Sequence, residues 1–235
     1  MTIALLCPTR DRQQQLTRMG QSVIDTVSDI SNVFMYIAHD EKLKVLEGAY
    51  MPQKGFLFPE NLPTAQKWNL LAQEALRNPN NKLFMLAADD MIFDTGGWDK
   101  ALLEHYNSLE NKIHVYHFQD SRDYDGTPHV IVTREYIETL GYFIPPIFLH
   151  WFIDSWTVAI AKANSCFTHL RDYKLIHDKP SDKGLPDETH SRIREWGWAQ
   201  RDTFVNETCQ HFLAVEKERL RCAINNGERK QCVFG

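Results

Sequence analysis

The sequence has no CxxC pair, no internal repeat, no low-complexity stretch and no apolar run near the ~20 residues that cross a bilayer. Its five cysteines, Cys7, Cys166, Cys209, Cys222 and Cys232, are scattered and odd in number. That argues against a disulfide framework or a cysteine zinc site and fits a reducing compartment. Positive charge is not in excess either, with 26 Lys and Arg against 31 Asp and Glu and a formal net charge of −5. No overall electrostatic pull therefore draws the chain to nucleic acid or anionic membrane, although a local basic patch stays open. The N-terminus lacks a basic region followed by an apolar stretch, so the expectation is a cytoplasmic protein with no membrane span. Also missing is a glycine-rich, basic phosphate loop after the first apolar segment.

What is present is 235 residues, 43% of them hydrophobic, enough to bury a sizeable core in one α/β domain. Thr2 to Cys7 reads as a strand ending in Pro8, Thr9, Arg10 and Arg12. Arg12 to Asp29 carries Leu16, Met19, Val23, Ile24 and Val27 at helical spacing. Asn32 to Ala38 is a second strand, closed by His39, Asp40 and Glu41. Lys42 to Leu46 reads as a short helix or turn, and Gly55 to Pro59 as a brief strand. Thr64 is placed to cap a helix over 65–77. A central apolar strand from Lys82 runs into Asp89 and Asp90 at its carboxyl end, Trp98 to Tyr106 reads as a helix and Ile113 to Phe118 as a strand. The order β-α-β-β-α-β-α-β predicts a mainly parallel, doubly wound, Rossmann-like sheet. Beyond it, His129 to Val132 reads as a strand, Thr133 to Leu140 as a helix, Gly141 to Pro146 as a rigid loop and Thr157 to Ala163 as an apolar helix. The expected organisation is a nucleotide-binding half over 1–125, an aromatic-rich acceptor and catalytic half over 126–190, and a helical tail over 191–235 packed on the same domain.

Most informative is the apolar run that ends in Asp89 and Asp90. Acids at a strand's carboxyl end face the crevice of an open sheet, where they meet ligand instead of core. Paired carboxylates suit Mg²⁺ or Mn²⁺, which can in turn hold diphosphate oxygens. The same pair also reads as turn residues, or as the cap of the helix near Trp98. Asp154, between Trp151 and Trp156, reads either as a group that takes a proton from a hydroxyl beside stacked sugar rings, or as the cap of the apolar helix.

Taken together, Cys7-Pro-Thr-Arg-Asp-Arg12, Asp40, Thr64-Ala-Gln-Lys-Trp-Asn69, Ala88-Asp-Asp90, Phe93 to Asp99 and Gly141 to Asp154 resemble GT-A-fold glycosyltransferases, close to the family 2 pattern. The resemblance spans most of residues 2–190. It implies that Pro8, Thr9, Arg10, Arg12, Asp40, Lys67 and Asn69 lie at the donor nucleotide, and that Ala88-Asp89-Asp90 stands where the family has its DxD motif. Ala88 replaces an acid there. Asp90 becomes the expected metal ligand, with Asp89 a partner to metal or ribose, and Asp99 a helix cap. Asp154 becomes the expected general base of an inverting transfer, although Ile153 stands where the family often has a second acid. His150 and Trp151 fall to the acceptor side. Related enzymes supply a metal-binding His where His177 follows Tyr173 to Ile176, and Lys183 lies in a tract suited to the leaving diphosphate.

The implied activity is metal-dependent transfer of a sugar, hexose or pentose, from a nucleotide diphosphate sugar such as a UDP-sugar, with Mn²⁺ or Mg²⁺ as cofactor. The acceptor is a glycan or, as with some compact viral and phage enzymes that work in the host cytoplasm on DNA, a hydroxymethylated base. Trp196, Trp198, Phe204 and Phe212 among Arg192, Arg194, Arg201, Lys217, Arg219, Arg221, Arg229 and Lys230 could grip a polyanion. The acids interspersed there equally describe an amphipathic tail packed on the sheet. A nucleotidyltransferase acting on a sugar phosphate, and a non-catalytic nucleotide-sugar or DNA-binding module, are the alternatives.

Overall fold

Period-two alternation in the first strand prepares a sheet covered on both faces. In the computed structural model, which describes residues 1–10, 12–39, 51–59, 62–121, 128–178 and 200–226, β1 (Thr2–Pro8) sends Ala4 and Leu6 to one apolar cluster and Ile3, Leu5 and Cys7 to another. β2 (Val33–His39) and β4 (Asn81–Leu86) divide their side chains in the same way. Strands apolar on both faces belong inside a sheet with helices above and below. One face is covered by α1 (Gln13–Thr26) and α3 (Trp98–Ser108), through Leu16, Met19, Val23, Trp98 and Leu102. The other is covered by α2 (Thr64–Leu76), α4 (Arg134–Leu140), α5 (Ile153–Ala163) and α6 (Glu207–Asn226).

The remaining strands are β3 (Gln53–Leu57), β5 (Met91–Phe93), β6 (Val115–Asp120), β7 (Ile131–Thr133) and β8 (Phe167–His177). Together they form one eight-stranded sheet in the order β3-β2-β1-β4-β7-β6-β8-β5. The β1/β2, β2/β3, β1/β4 and β6/β8 pairs are parallel, while β7 runs against both β4 and β6, and β5 against β8. The sheet is therefore mainly parallel and doubly wound, as the periodicity predicts.

Several local expectations are corrected. β4 stops at Leu86 ahead of the acids as expected, but beyond them, where no strand was expected, Met91–Phe93 form β5 and pair at the far edge with β8. Thr64 does not cap α2. Pro63 holds that position without a side-chain cap, since a proline lead-in already fixes φ. Asp99 is not the cap of α3, which starts after Gly97 at φ 81°. Fully buried, Asp99 accepts hydrogen bonds from Ser28 N at 2.7 Å, Asp29 N at 3.2 Å and Asn32 Nδ2 at 2.8 Å. It thereby satisfies the chain as it leaves α1 for β2. The short element expected over Lys42 to Leu46 lies outside the described residues.

The described part of the C-terminal tail is packed. Cys209, Leu213 and Leu220 of α6 join the core cluster that contains α4 and α5. Arg219 Nη1 donates to Leu140 O at 3.1 Å, Asn164 Nδ2 donates to Lys217 O at 3.1 Å, and Tyr142 donates to Glu216.

Candidate active site at the carboxyl rim of the sheet

Since β1, β2, β4, β6 and β8 point the same way, their carboxyl ends, Pro8, His39, Leu86, Asp120 and His177, line one rim. Parallel sheets gather their chemistry at such a rim because no strand continues there to fill it.

Asp89 and Asp90 occupy the turn between β4 and β5, closed by Met91 N donating to Ala88 O at 3.2 Å. Asp89 is 5% exposed. Its Oδ2 accepts from Thr9 Oγ1 at 2.7 Å and its Oδ1 from Arg12 Nη1 at 3.0 Å. Burial pushes its carboxyl up to about 6 against the opposing pull of Arg12, and the Asp90 charge adds to the rise. Burial, and after it the charges of the same two acids, push the Cys7 thiol up. Asp89 thus joins the turn to the loop after β1, where Thr9 N also donates to Ala38 O at 2.8 Å.

Asp90 faces the opposite way, toward β8. Antiparallel pairing sets Met91 against His177, Asp178 N donates to Asp90 O at 2.7 Å, and Asp90 Oδ1 lies 3.6 Å from His177 Nε2. Arg12 Nη1 stands 3.9 Å from Asp90 Oδ2. On its other nitrogen, His177 Nδ1 lies 3.3 Å from Oδ2 of Asp120, which is 3% exposed. The His129 ring leans on His177, with centroids 4.7 Å apart. Burial, with the His177 ring beside it, holds the His129 imidazole well below its ordinary range and therefore neutral. Its Nδ1 lies 3.1 Å from the Leu86 carbonyl, an acceptor, which assigns the proton to Nδ1. The backbone of His129 sits at φ 63°, outside the usual range for a non-glycine residue.

Asp90 and His177 fit a small divalent cation. Two adjacent ligand atoms with bonds near 2.1 Å stand roughly 3–3.5 Å apart, close to the observed 3.6 Å. One carboxylate oxygen and one imidazole nitrogen suit Mn²⁺ by ligand chemistry. Among the described residues no group of three or more His, Cys, Asp and Glu side chains forms a ready cage. Both Asp89 oxygens already accept hydrogen bonds from the β1 loop, so Asp90 and His177 are the better-placed pair.

The loop over 147–152 reaches the same rim through α2. Trp68 Nε1 donates to Leu6 O at 2.9 Å and to Ala87 O at 3.1 Å, which seats α2 between β1 and β4. His150 stacks on that indole at 5.8 Å, and Ala65 N donates to Leu149 O at 3.0 Å. Leu149 N, His150 N and Trp151 N converge on Gln200 Oε1 at 3.0, 2.9 and 3.0 Å. Phe152 then turns through φ 68° into α5. Asp154 sits in the first turn, half-buried, with Oδ1 accepting from Ser155 N at 2.8 Å. The helix begins at Ile153, four residues earlier than its apolar pattern predicts.

Other expected donor residues divide. Pro8 ends β1, Arg10 lies half-buried in the loop that follows, and Lys67 is 6% exposed on α2. The Asn69 Oδ1 accepts from Phe143 N and Ile144 N at 3.0 and 3.1 Å, and its Nδ2 donates to Ile144 O at 2.9 Å, so its carboxamide ties α2 to the 141–146 loop. Asp40 and Lys183 lie outside the described residues. Sequence reasoning passed over Asp120, His129 and Gln200. Only Asp120 carried a usable signal, as an acid closing an apolar strand in the way Asp89 and Asp90 follow β4.

No family model matches the sequence, and no curated protein matches it. Comparison with solved structures, in contrast, gives the fold. S. aureus TarS 1–349 in complex with UDP aligns with a TM-score of 0.59 at 10% identity, over 88% of this chain and 73% of that one. The mannosyltransferase PcManGT from Pyrobaculum calidifontis, in complex with GDP-Man and Mn²⁺, aligns at 0.58 and 12% identity, over 96% and 76%. A Drosophila β1,4-galactosyltransferase 7 mutant, in complex with manganese, UDP-Gal and xylobiose, aligns at 0.52 and 13% identity, over 82% and 79%. This chain spans 44% of the longer TarS structure. The architecture is the GT-A fold; the TarS structure holds UDP, and the mannosyltransferase and galactosyltransferase structures hold a nucleotide-sugar with manganese.

Proposed function

We propose that the protein is a metal-dependent glycosyltransferase that moves a sugar from a nucleotide diphosphate sugar, most simply a UDP-sugar, to an acceptor hydroxyl with inversion. The observation that carries this reading is the meeting of Asp90 and His177 on the carboxyl rim, 3.6 Å apart, beside the Thr9 and Arg12 loop that Asp89 holds in place. Asp90 and His177 would hold Mn²⁺ or Mg²⁺, and such an ion offsets charge on the departing diphosphate. Arg12, with Nη1 3.0 Å from Asp89 and 3.9 Å from Asp90, adds positive charge at the same place. Thr9, Arg10 and Lys67 complete the donor side in this assignment.

Asp154 is assigned as general base. Half-buried at the start of α5, it takes the proton from the acceptor hydroxyl as that oxygen attacks the anomeric carbon. His150 and Trp151 belong to the loop before it and form the acceptor side. A glycan hydroxyl is the acceptor favoured here over a hydroxymethylated base. In the described tail Phe204 stacks on Phe152 at 5.0 Å, and Arg221 pairs with Glu218 at 2.7 Å, so those groups are committed within the protein.

The deciding experiment is thermal stabilisation by UDP-, GDP-, CMP- and dTDP-sugars with and without Mn²⁺, because a ligand selective for the native state raises its apparent stability. A metal-dependent rise with one donor supports the assignment, and the same donor then goes into transfer assays with glycan and DNA acceptors. No rise with any donor overturns it.

A further inference from the structure

We infer that Asp120 is a positioning residue that holds the His177 imidazole with Nδ1 protonated and Nε2 aimed at the Asp90 carboxylate. This rests on the metal-dependent reading above and deepens it, since it names what prepares the histidine before an ion arrives.

The placement comes from an irregularity between two strands. β6 and β8 run in parallel register from Val115↔Phe167 to Phe118↔Leu170, and the pairing then jumps to Gln119↔Lys174 and Asp120↔Leu175. Residues 171–173 are the excess in β8, and they carry its last residues forward along the rim. Ser121 N donates to Leu175 O at 2.8 Å and His177 N to Ser121 Oγ at 3.4 Å, which fixes the shifted register at its end. The result is a buried carboxylate facing the side of the imidazole away from Asp90, at 3.3 Å from Nδ1.

Burying a carboxylate at 3% exposure is costly unless donors face it. An imidazole Nδ1–H is such a donor, and the contact selects the tautomer whose Nε2 lone pair points away from Asp120. That lone pair lies on the Asp90 side, at 3.6 Å from Oδ1. The His129 ring, 4.7 Å away centroid to centroid, covers the imidazole and limits its rotation. Asp120 faces the nitrogen away from Asp90, so it acts through His177 and does not itself ligate the cation.

The test uses the full chain with Mn²⁺ titrated by its EPR signal in the presence of UDP, together with nitrogen NMR of the His177 ring in metal-free protein at alkaline pH. Asp120→Ala is expected to weaken Mn²⁺ binding about 10–100-fold and to move the His177 proton from Nδ1 to Nε2. The near-isosteric Asp120→Asn, which protects the result against a folding defect, is expected to show a smaller loss. His177→Ala sets the scale for complete removal of the ligand. If Asp120→Ala binds Mn²⁺ like the wild type while His177→Ala does not, Asp120 has no positioning role and the donor-site reading stands. If the wild type binds no Mn²⁺ with UDP, the metal assignment itself falls. An Nδ1 proton unmoved by Asp120→Ala also overturns the inference.

Discussion

Met91 stands opposite His177 in the antiparallel pairing of β5 with β8. Three residues of β5 therefore join two parts of the chain far apart in sequence, and the residue just before them, Asp90, is set beside the imidazole. The pairing also explains why β4 ends early: the chain must leave the centre of the sheet to reach its far edge, and the two acids occupy the turn that takes it there.

Asp90 and Asp154 are expected to fail in different ways. Asp90→Asn should lose metal-dependent stabilisation by the donor, seen as a thermal shift no longer responsive to Mn²⁺. Asp154→Asn should keep that shift and lose about 10²–10⁴ in turnover, the usual contribution of a positioned base. Undiminished transfer by Asp154→Asn would remove it as the base and turn attention to His150.

Gln200 bridges the loop before α5 to the C-terminal segment. Gln200→Ala leaves the amides of Leu149, His150 and Trp151 without the oxygen they share, at a cost of about 1–3 kcal/mol. The acceptor KM should rise while the donor Kd stays near the wild-type value. Steady-state kinetics with each substrate varied in turn will separate the two effects, and an equal change in both would place Gln200 outside the acceptor side.

Acid should destabilise the fold through His117. Burial, assisted by the His169 imidazole 4.9 Å away, pushes it down to about 4, with Asp120 pulling the other way. In the unfolded chain the group titrates near 6.5. Between those values the native state binds fewer protons than the unfolded one, so stability rises with pH across the window. The contribution is fully present above about 6.5 and is lost as pH falls toward 4, on the order of 3 kcal/mol. Denaturant unfolding at several pH values should show a flatter profile in that window for His117→Gln.

Asp99 should matter for folding and not for chemistry. Asp99→Ala removes the acceptor of two backbone amides and the Asn32 carboxamide, with an expected loss of about 2–4 kcal/mol. Chemical denaturation gives the loss, and UDP binding measured well below the unfolding midpoint should be unchanged. A weakened nucleotide affinity there would show that this junction also shapes the donor site.

Much of the fold was legible because periodicity is a local property. Leu16, Met19 and Val23 mark α1, and the apolar runs Thr2 to Cys7 and Asn32 to Ala38 mark β1 and β2 within a residue or so of their ends. The separate strand Met91–Phe93 beyond the acids was not legible, because three apolar residues read alike whether they stay in the sheet centre or cross to another edge. The loop contact of Asn69 was not legible for a related reason: the 141–146 segment that takes up its carboxamide is more than 70 residues away.

By itself the sequence determined the alternation of strands and helices, the two-faced hydrophobicity of the central strands, and therefore a parallel sheet whose carboxyl rim carries Thr9, Asp89 and Asp90. Those follow from side-chain periodicity and from the need to cover both faces of an apolar sheet. Tertiary structure alone decided the register that sets His177 3.6 Å from Asp90, that Asp120 stands behind it, and that Gln200 secures the loop over 149–151. Such partnerships depend on strand register and on a shift between β6 and β8. Register is fixed by packing across the whole sheet, so no window of sequence contains it.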